Sequence, residues 1–551
     1  MFLINDTIWS IAEMKKKIVA IIPARAGSKG VPNKNIRIVG DWPLVYYAIH
    51  NALSSKYIDE IVVTTDSPEV QTIAKQLGVS VRWRKEDLCG DSVTLDAVVY
   101  DAIPSGIDWD YIVTMQPTSP TLSVKSLDEA IEYAIENDLD TLISAINRPH
   151  LTWGDQNGKK VPNYSERLNR QYLPPCYSET GAFVISKSSV VTLSSRIGDK
   201  VDIFELPEEE SQDVDTFSDL KIVEMYLRKD KVAIYANGNN QRGAGHIYRA
   251  LELADMFFVK PDIIYDVKQT EEILFGNTTH NLVPVNGLTD LINHCRRENY
   301  TLFINDILST STEYMEKLRS AMPKAKIVNF EDDGEGAIKA DLVINALLQK
   351  SKYDHTYSGE DYYIASKTFM FYKPIEIREK VKRVFISFGG ADPQSYTDRI
   401  LKLVSKEEYR DYEFVIVLGR AKENVKELMR YNRLPNIEVL YNASNMPELM
   451  TSCDVAVTSR GRTGYELAMV GIPTISMAQN ETEEKHGFMS HENGFSYIGL
   501  NPSDEIIEST LKMYLTLSKE SRQTFQNKLL SHDLRGGRKR VMNLISGIDN
   551  N

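Results

Sequence analysis

The residues best able to do chemistry gather at two glycine loops and one acidic pair. Ala24-Arg25-Ala26-Gly27-Ser28-Lys29-Gly30 runs on into Pro32, Asn33, Lys34 and Asn35, which puts the cations Arg25, Lys29 and Lys34 within ten residues. Glycines let a backbone approach a phosphate closely, and the cations would neutralise it. The loop matches neither GxxxxGK[ST] nor GxGxxG, so it is not a Walker A loop or a dinucleotide fingerprint. Asp213-Val214-Asp215 places carboxylates at i and i+2, on one face of an extended segment, where they can share a divalent cation. Gln116-Pro117-Thr118-Ser119-Pro120 adds a rigid, hydroxyl-rich loop. Taken singly, a solvated turn and a solvated acidic loop explain these segments as simply.

The second glycine loop is Arg242-Gly243-Ala244-Gly245-His246. A dinucleotide fingerprint would need its third glycine at Tyr248, so a dehydrogenase reading fails. A histidine at a helix start behind two glycines can face a cleft as a base or a phosphate ligand, although a lone histidine reads first as structural. Downstream come Ser387-Phe388-Gly389-Gly390-Ala391-Asp392-Pro393 and Ser459-Arg460-Gly461-Arg462-Thr463-Gly464-Tyr465-Glu466, then Asn480 and His486. Arg460 and Arg462 either grip a diphosphate or form salt bridges where two lobes meet. The other histidines show no metal-ligand spacing.

Three apolar runs lead into these loops: Ile18 to Pro23, Val232 to Ala236 and Val384 to Phe388. Buried parallel strands read as continuous apolar runs, and the alternation of strands and helices between them predicts doubly wound parallel sheets. With 551 residues, three to four folding units are expected. The expected segments are an N-terminal extension (1–16), a first domain (17–228), and two lobes (231–375 and 381–551) facing a cleft. Residues from about 501 onward read as helices packing back on the second lobe, and RGGRKR as a solvated helix end. Hydrophobic residues at 42% and charged residues at 26% exclude a disordered, collagen-like or coiled-coil chain. A net charge of -13 supports neither a nucleic-acid partner nor an anionic membrane surface, so an anionic ligand needs a local pocket. Four scattered cysteines fit a reducing cytoplasm, and the first sixteen residues have neither the order of a secretory signal nor the length of a membrane span.

Taken together and in order, IIPARAGSKGVPNKN, VVTTDS, Arg84 with Asp91-Ser92, MQPTSP, RQYLPP with SETGAF, and QDVDTFSDL resemble the CMP-sialic acid synthetases over about residues 17–228. That resemblance implies transfer of CMP from CTP to a nine-carbon α-keto sugar acid, with release of pyrophosphate. It implies Arg25 and Lys34 as catalytic, and Arg25, Ser28, Lys29, Lys34, Asn35, Arg84 and Ser92 at the CTP. Gln116 and Arg170 fall on the sugar-acid side, Asp213 and Asp215 hold Mg²⁺, and a homodimer is possible. Thr121-Leu122 stands where the family commonly has Leu-Arg, Thr180 where it has Asn, and Lys85 where it has Pro. These departures point from ordinary sialic acid toward pseudaminic or legionaminic acid; an eight-carbon Kdo-like acid is a rival.

The later segments, about 231–500, resemble two-lobed enzymes of the glycosyltransferase B type, and within them the UDP-sugar hydrolase and spore-coat polysaccharide group. The implied fold class is α/β: an N-terminal Rossmann-like nucleotidyltransferase domain followed by two Rossmann-like lobes of glycosyltransferase B type. The resemblance implies His246 as the catalytic base and a UDP-sugar at Gly243, Gly245, Gly389, Gly390, Arg462, Thr463, Glu466 and Asn480. A bifunctional enzyme of nonulosonic acid synthesis follows, with a glycosyltransferase or a non-catalytic nucleotide-sugar-binding module as the alternatives for the second half.

Overall fold

The computed structural model describes residues 15–27, 30–90, 92–228, 230–238, 245–349, 353–443 and 445–547. The extension expected at 1–16 therefore lies almost wholly outside the described residues, as do Ser28, Lys29 and Gly243. Two compact units divide the chain, Met1–Lys229 and Asp230–Asn551.

The first unit carries a seven-stranded sheet: β1 (Ile18–Pro23), β2 (Glu60–Thr65), β3 (Ser80–Trp83), β4 (Tyr111–Met115), β5 (Thr141–Asn147), β6 (Tyr177–Lys187) and β7 (Val201–Glu205). Their order is β7-β5-β6-β4-β1-β2-β3. The sheet is mixed, which departs from the all-parallel expectation: β6 runs antiparallel to both β4 and β5. No crossover helix separates β5 from β6; the hairpin Trp153–Gln156/Lys159–Pro162 and loops fill that stretch, so the chain returns in the opposite sense.

The second unit holds two sheets. The first lobe has β8 (Val232–Ala236), β9 (Asp262–Asp266), β10 (Asn281–Val285), β11 (Leu302–Asp306), β12 (Lys326–Phe330), β13 (Leu342–Asn345) and β14 (Thr356–Ser358), ordered β10-β9-β8-β11-β12-β13-β14 and parallel throughout. The second lobe has β15 (Arg383–Ser387), β16 (Glu413–Leu418), β17 (Ile437–Tyr441), β18 (Val455–Ser459), β19 (Thr474–Ala478) and β20 (Phe495–Leu500), ordered β17-β16-β15-β18-β19-β20 and also parallel.

Burial explains the continuous apolar runs. In β1, Ile18, Ala20 and Ile22 pack into one core while Val19 and Ile21 pack into another on the opposite face. In β8, Val232, Ile234 and Ala236 face one core and Ala233 and Tyr235 the other. Both parities are dry, so both must be apolar. Each sheet also reverses its winding beside its opening strand, between β1 and β4, β8 and β11, and β15 and β18. Ligands bind outside the carboxyl ends of strands at such points, because the loops there diverge and leave a crevice. The strands that precede the three glycine loops in sequence, β1, β8 and β15, end at these places.

The C-terminal helices correct one expectation. α3 (Asp504–Leu515) and α4 (Lys519–Leu530) pack on the second lobe through Ile507, Leu511, Tyr514 and Leu529. The last helix, α5 (Gly537–Gly547), instead buries Val541 and Ile545 in the core of the first lobe. Nor is the RGGRKR run a solvated end. Arg535 donates to the Phe369 and Tyr372 carbonyls, Arg538 to Glu252 and the Ala365 carbonyl, and Arg540 to the Asp361 carbonyl. These arginines fasten the segment that joins the two lobes. No described helix is long and apolar enough to cross a membrane.

Candidate functional site

In the first unit, Asn33 takes a left-handed conformation (φ 55), and beyond it Asn35 points back at the glycine loop while Lys34 points toward Val214 and Asp215. Asn35 is buried and donates from Nδ2 to the Arg25 carbonyl at 2.9 Å. Lys34 Nζ donates to the Val214 carbonyl at 2.7 Å and lies 3.2 Å from Asp215 Oδ1. The phosphate-type loop and the acidic pair, distant in sequence, are thereby tied together. Gly30 permits the closeness: a Cβ there would lie 2.3 Å from the Asp215 carbonyl oxygen.

Asp213 and Asp215 differ sharply. Asp215 has a side chain 74% exposed, whereas Asp213 Oδ1 is buried with no hydrogen-bond partner among the described residues. Burial raises the Asp213 carboxyl, the Thr118 side chain opposes this, Asp215 adds to the rise, and Lys34 pulls it back. A Cβ on Gly181 would sit 3.1 Å from Gln116 Nε2 and 3.8 Å from Asp213 Oδ2, so Gln116 borders the same crevice. Arg84 is buried at the end of β3, with one guanidinium nitrogen on the Thr64 carbonyl at 3.0 Å. Burial draws its pKa down, and Arg25, close enough to be felt electrostatically, adds to this. Ser92 and Arg170 are exposed, and among the described residues neither hydrogen-bonds a member of this cluster. Thr180 is turned inward, donating to Ser144 Oγ at 2.9 Å.

The second unit has a cleft of about 900 Å³ between its lobes. Gly245 and His246 line it from the first lobe; Gly389, Gly390, Arg462, Thr463, Glu466 and Asn480 line it from the second. His246 opens α1 (Gly245–Ala254), just beyond the carboxyl end of β8, and Asp306 ends the neighbouring strand β11. Their side chains meet: His246 Nδ1 lies 2.5 Å from Asp306 Oδ1. A carboxylate only accepts, so Nδ1 donates to Asp306, and in the neutral ring the lone pair is on Nε2. Arg249, one turn along α1, donates Nε to Asp306 Oδ2 at 2.6 Å and a terminal nitrogen to Glu331. Burial alone would raise the Asp306 carboxyl, but Arg249 and His246 outweigh it and hold it far below the carboxylate range. For Glu331 the same contest, with Arg249 and Arg462 against burial, ends at about 2. Leu308 (φ 69) and Glu331 (φ 54) are left-handed without being glycine, the backbone strain that functional sites tend to hold.

The two arginines of the second lobe have separate duties. Arg460 is buried, donates to the Glu484 and His486 carbonyls and lies 4.0 Å over the Tyr497 ring, so it holds a helix end and is not offered to a diphosphate. Arg462 bridges the lobes, reaching both oxygens of Glu331 at 3.0 Å and the Gly245 carbonyl. Asn480 lines the cleft, but its Oδ1 accepts from Glu483 N at 2.9 Å as a helix cap. His486 is buried against Tyr465 and its pKa is pushed down to about 4 by burial, so it is neutral and supplies no charge to a phosphate. Glu466 sits on α2 (Thr463–Met469); burial pushes it up to about 7, against the pull of Arg462 and with the help of Glu252.

Sequence reasoning missed Asp306, Arg249 and Glu331. A faint signal existed: LFIND and NFED each end an apolar strand on an acid, and Arg249 follows His246 by one helical turn. Among the described residues, no cluster of three or more His, Cys, Asp or Glu has metal-binding geometry.

The sheets and their crevices define an α/β protein: a mixed seven-stranded sheet in the first unit and two parallel, Rossmann-like lobes in the second. The cytidylyltransferase family profile matches residues 19–201. The post-translational flagellin modification protein B of Campylobacter coli is 31% identical over 225 residues, covering 39% of this chain and 96% of that protein. The chain belongs to the cytidylyltransferase family through its first domain. The N-acylneuraminate cytidylyltransferase of Escherichia coli O18:K1:H7 (strain RS218 / NMEC) is 27% identical over 243 residues, 41% of this chain and 57% of that enzyme. The chain spans 53% and 57% of the length of two N-acylneuraminate cytidylyltransferases it matches, and 61% of an uncharacterized protein of Methanocaldococcus jannaschii at 27% identity. Among solved structures, MurG of Acinetobacter baumannii covers 57% of this chain and 99% of its own, at 12% identity and a TM-score of 0.42.

Proposed function

We propose that the first domain transfers CMP from CTP to the anomeric hydroxyl of a nine-carbon α-keto sugar acid and releases pyrophosphate. The observation that carries this reading is the Lys34 bridge to Val214 and Asp215, which brings cations and carboxylates to one crevice at the β1/β4 switch point. The hydroxyl attacks the α-phosphorus, and negative charge grows there and on the leaving pyrophosphate. Arg25 and Lys34 stabilise that charge. Asp213 and Asp215 fit Mg²⁺, which takes one or two carboxylates and fills its octahedron with phosphate oxygens and water. The unpartnered Asp213 Oδ1 and the exposed Asp215 leave oxygens for it. When bound, the ion orients and neutralises the phosphates. Gln116 contacts the sugar acid, and Arg170, exposed in this structure, pairs with its carboxylate. Thr180 acts on sugar choice indirectly, through Gly181 beside Gln116. The test is pyrophosphate release from CTP and Mg²⁺ with sialic, legionaminic and pseudaminic acids. Turnover of pseudaminic or legionaminic acid ahead of sialic acid is expected, and equal rates for all three would refute the substrate assignment.

For the second unit we infer a UDP-sugar hydrolase acting on a UDP-linked 2,4-diacetamido-trideoxy sugar. His246 Nε2 takes a proton from water, the water oxygen bonds to the anomeric carbon, and the carbon–oxygen bond to UDP breaks. The buried Asp306 supports this by fixing the tautomer and stabilising the imidazolium. A transferase would use the same base on a sugar hydroxyl, and the two-lobed fold favours that second reading. UDP release without any acceptor separates them.

A further inference from the structure

His246 reaches the second lobe through an unbroken chain of charged side chains. Asp306 accepts its Nδ1 proton, Arg249 spans Asp306 and Glu331, and Glu331 receives Arg462 at 3.0 Å on each oxygen. Arg462 also donates to the Gly245 carbonyl, on the residue just before His246. The residue after Arg462 begins α2, and Glu466 follows within the first turn. Asp306 and Glu331 are 0% and 5% exposed at their side chains, Arg249 6% and Arg462 23%, so solvent screens the chain weakly. With His246 neutral, two acids and two arginines cancel.

Resting on the reading of His246 as the base, we propose that Arg462 and Glu331 are positioning residues. They fix the spacing between the first and second lobes, and their opposite charges set how tightly His246 holds its proton. Among the described residues, the charged groups linked to the imidazole are Arg249 on α1, Asp306 at the end of β11, Glu331 after β12 and Arg462 across the cleft, while Glu252 and Glu466 line the same cleft farther along the two helices. Removing Arg462 leaves a net negative site that favours the imidazolium. Removing Glu331 leaves a net positive site that disfavours it. Removing both restores balance. A pair that only held the lobes together would give no such opposition.

The experiment uses the full chain with ¹³C-labelled histidine and follows two readouts across pH: the His246 ring carbon titration and UDP release from the UDP-linked diacetamido sugar. Arg462→Gln should move both midpoints up by about one pH unit and Glu331→Gln should move them down by about one. The Arg462→Gln/Glu331→Gln double variant should return near the parent. Arg462→Lys keeps the charge without the two-pronged grip, so it should leave the midpoints in place while lowering kcat/KM several-fold. Shifts of the same sign in the two single variants, no shift in either, or a moved midpoint in Arg462→Lys would overturn the proposal. If the ring titration moves as stated while the parent releases no UDP, the charge coupling stands and the hydrolase reading falls.

Discussion

The two chemical centres hold their charges in opposite ways. At the first, Asp215 is largely exposed, Arg170 is exposed, and Lys34 is fixed by one carbonyl and one carboxylate. At the second, every described lysine and arginine lining the cleft is engaged. Arg249 serves Asp306 and Glu331, Arg462 serves Glu331, and Arg460 holds two carbonyls. Lys367 pairs with Asp255, and Arg420 donates to Asn442 and the Leu274 carbonyl. The first centre is arranged to receive charge, as phosphates and a cation require. The second is arranged to hold a shape and a tautomer, so on the proposed reading recognition there would fall to neutral donors and to Glu466. On the proposed readings, a phosphate at the first centre would compete only with the exposed Asp215 for Lys34, whereas at the second it would compete with buried carboxylates for Arg249 and Arg462.

The contrast can be broken most decisively at Lys34. Lys34→Ala should reduce CMP transfer by about 100-fold or more, as loss of a preorganised donor to developing charge does, read as pyrophosphate release. Retention of activity within tenfold would show that the bridge to the acidic pair is scaffolding only. Next in size is stability. Asp306→Asn strands Arg249 beside a single buried carboxylate and should destabilise the second unit by about 3–5 kcal/mol in urea unfolding. Asp215→Asn, at the open centre, should cost less than about 0.5 kcal/mol.

Proton linkage gives a third, smaller separation, with two opposite signs inside one cleft. Glu331 is lowered to about 2 from 4.5, so its stabilisation is present above pH 4.5 and is lost as pH falls toward 2. Glu466 is raised from 4.5 to about 7, so it disfavours the folded state increasingly as pH rises from 4.5 through 7. Glu466→Gln should abolish that upper slope in thermal unfolding and leave the acid slope intact. Because ribose hydroxyls donate to a carboxylate, UDP affinity measured by calorimetry should rise between pH 6 and 8 in the parent and stay flat in Glu466→Gln. The smallest effect is expected at Arg170. Its replacement by Ala should raise the KM for the sugar acid while leaving the KM for CTP and the unfolding midpoint unchanged.

Much of this arrangement is legible in the chain before it folds. The apolar runs IVAIIP, VAIYA and VFISF predict three buried opening strands because both of their faces are covered, and each is followed in sequence by a glycine loop. His246 is readable as a cleft residue from its place after VAIYA, and Glu466 from the resemblance of its segment to two-lobed enzymes. The roles of Arg460 and Arg462 are not, since in sequence they are two like residues two positions apart. Only the fold sends one to a helix end and the other across the cleft.

Local pattern thus determines the strands, the glycine turns and the presence of a phosphate-type loop, because these depend on neighbours within a few residues. The mixed sheet, the return of α5 to the first lobe, the Lys34 tie to Asp215 and the chain from His246 through Asp306, Arg249 and Glu331 to Arg462 depend on partners up to hundreds of residues away. A buried charge is stable only beside its counter-charge, and which counter-charge that is depends on how the strands are ordered across the sheet.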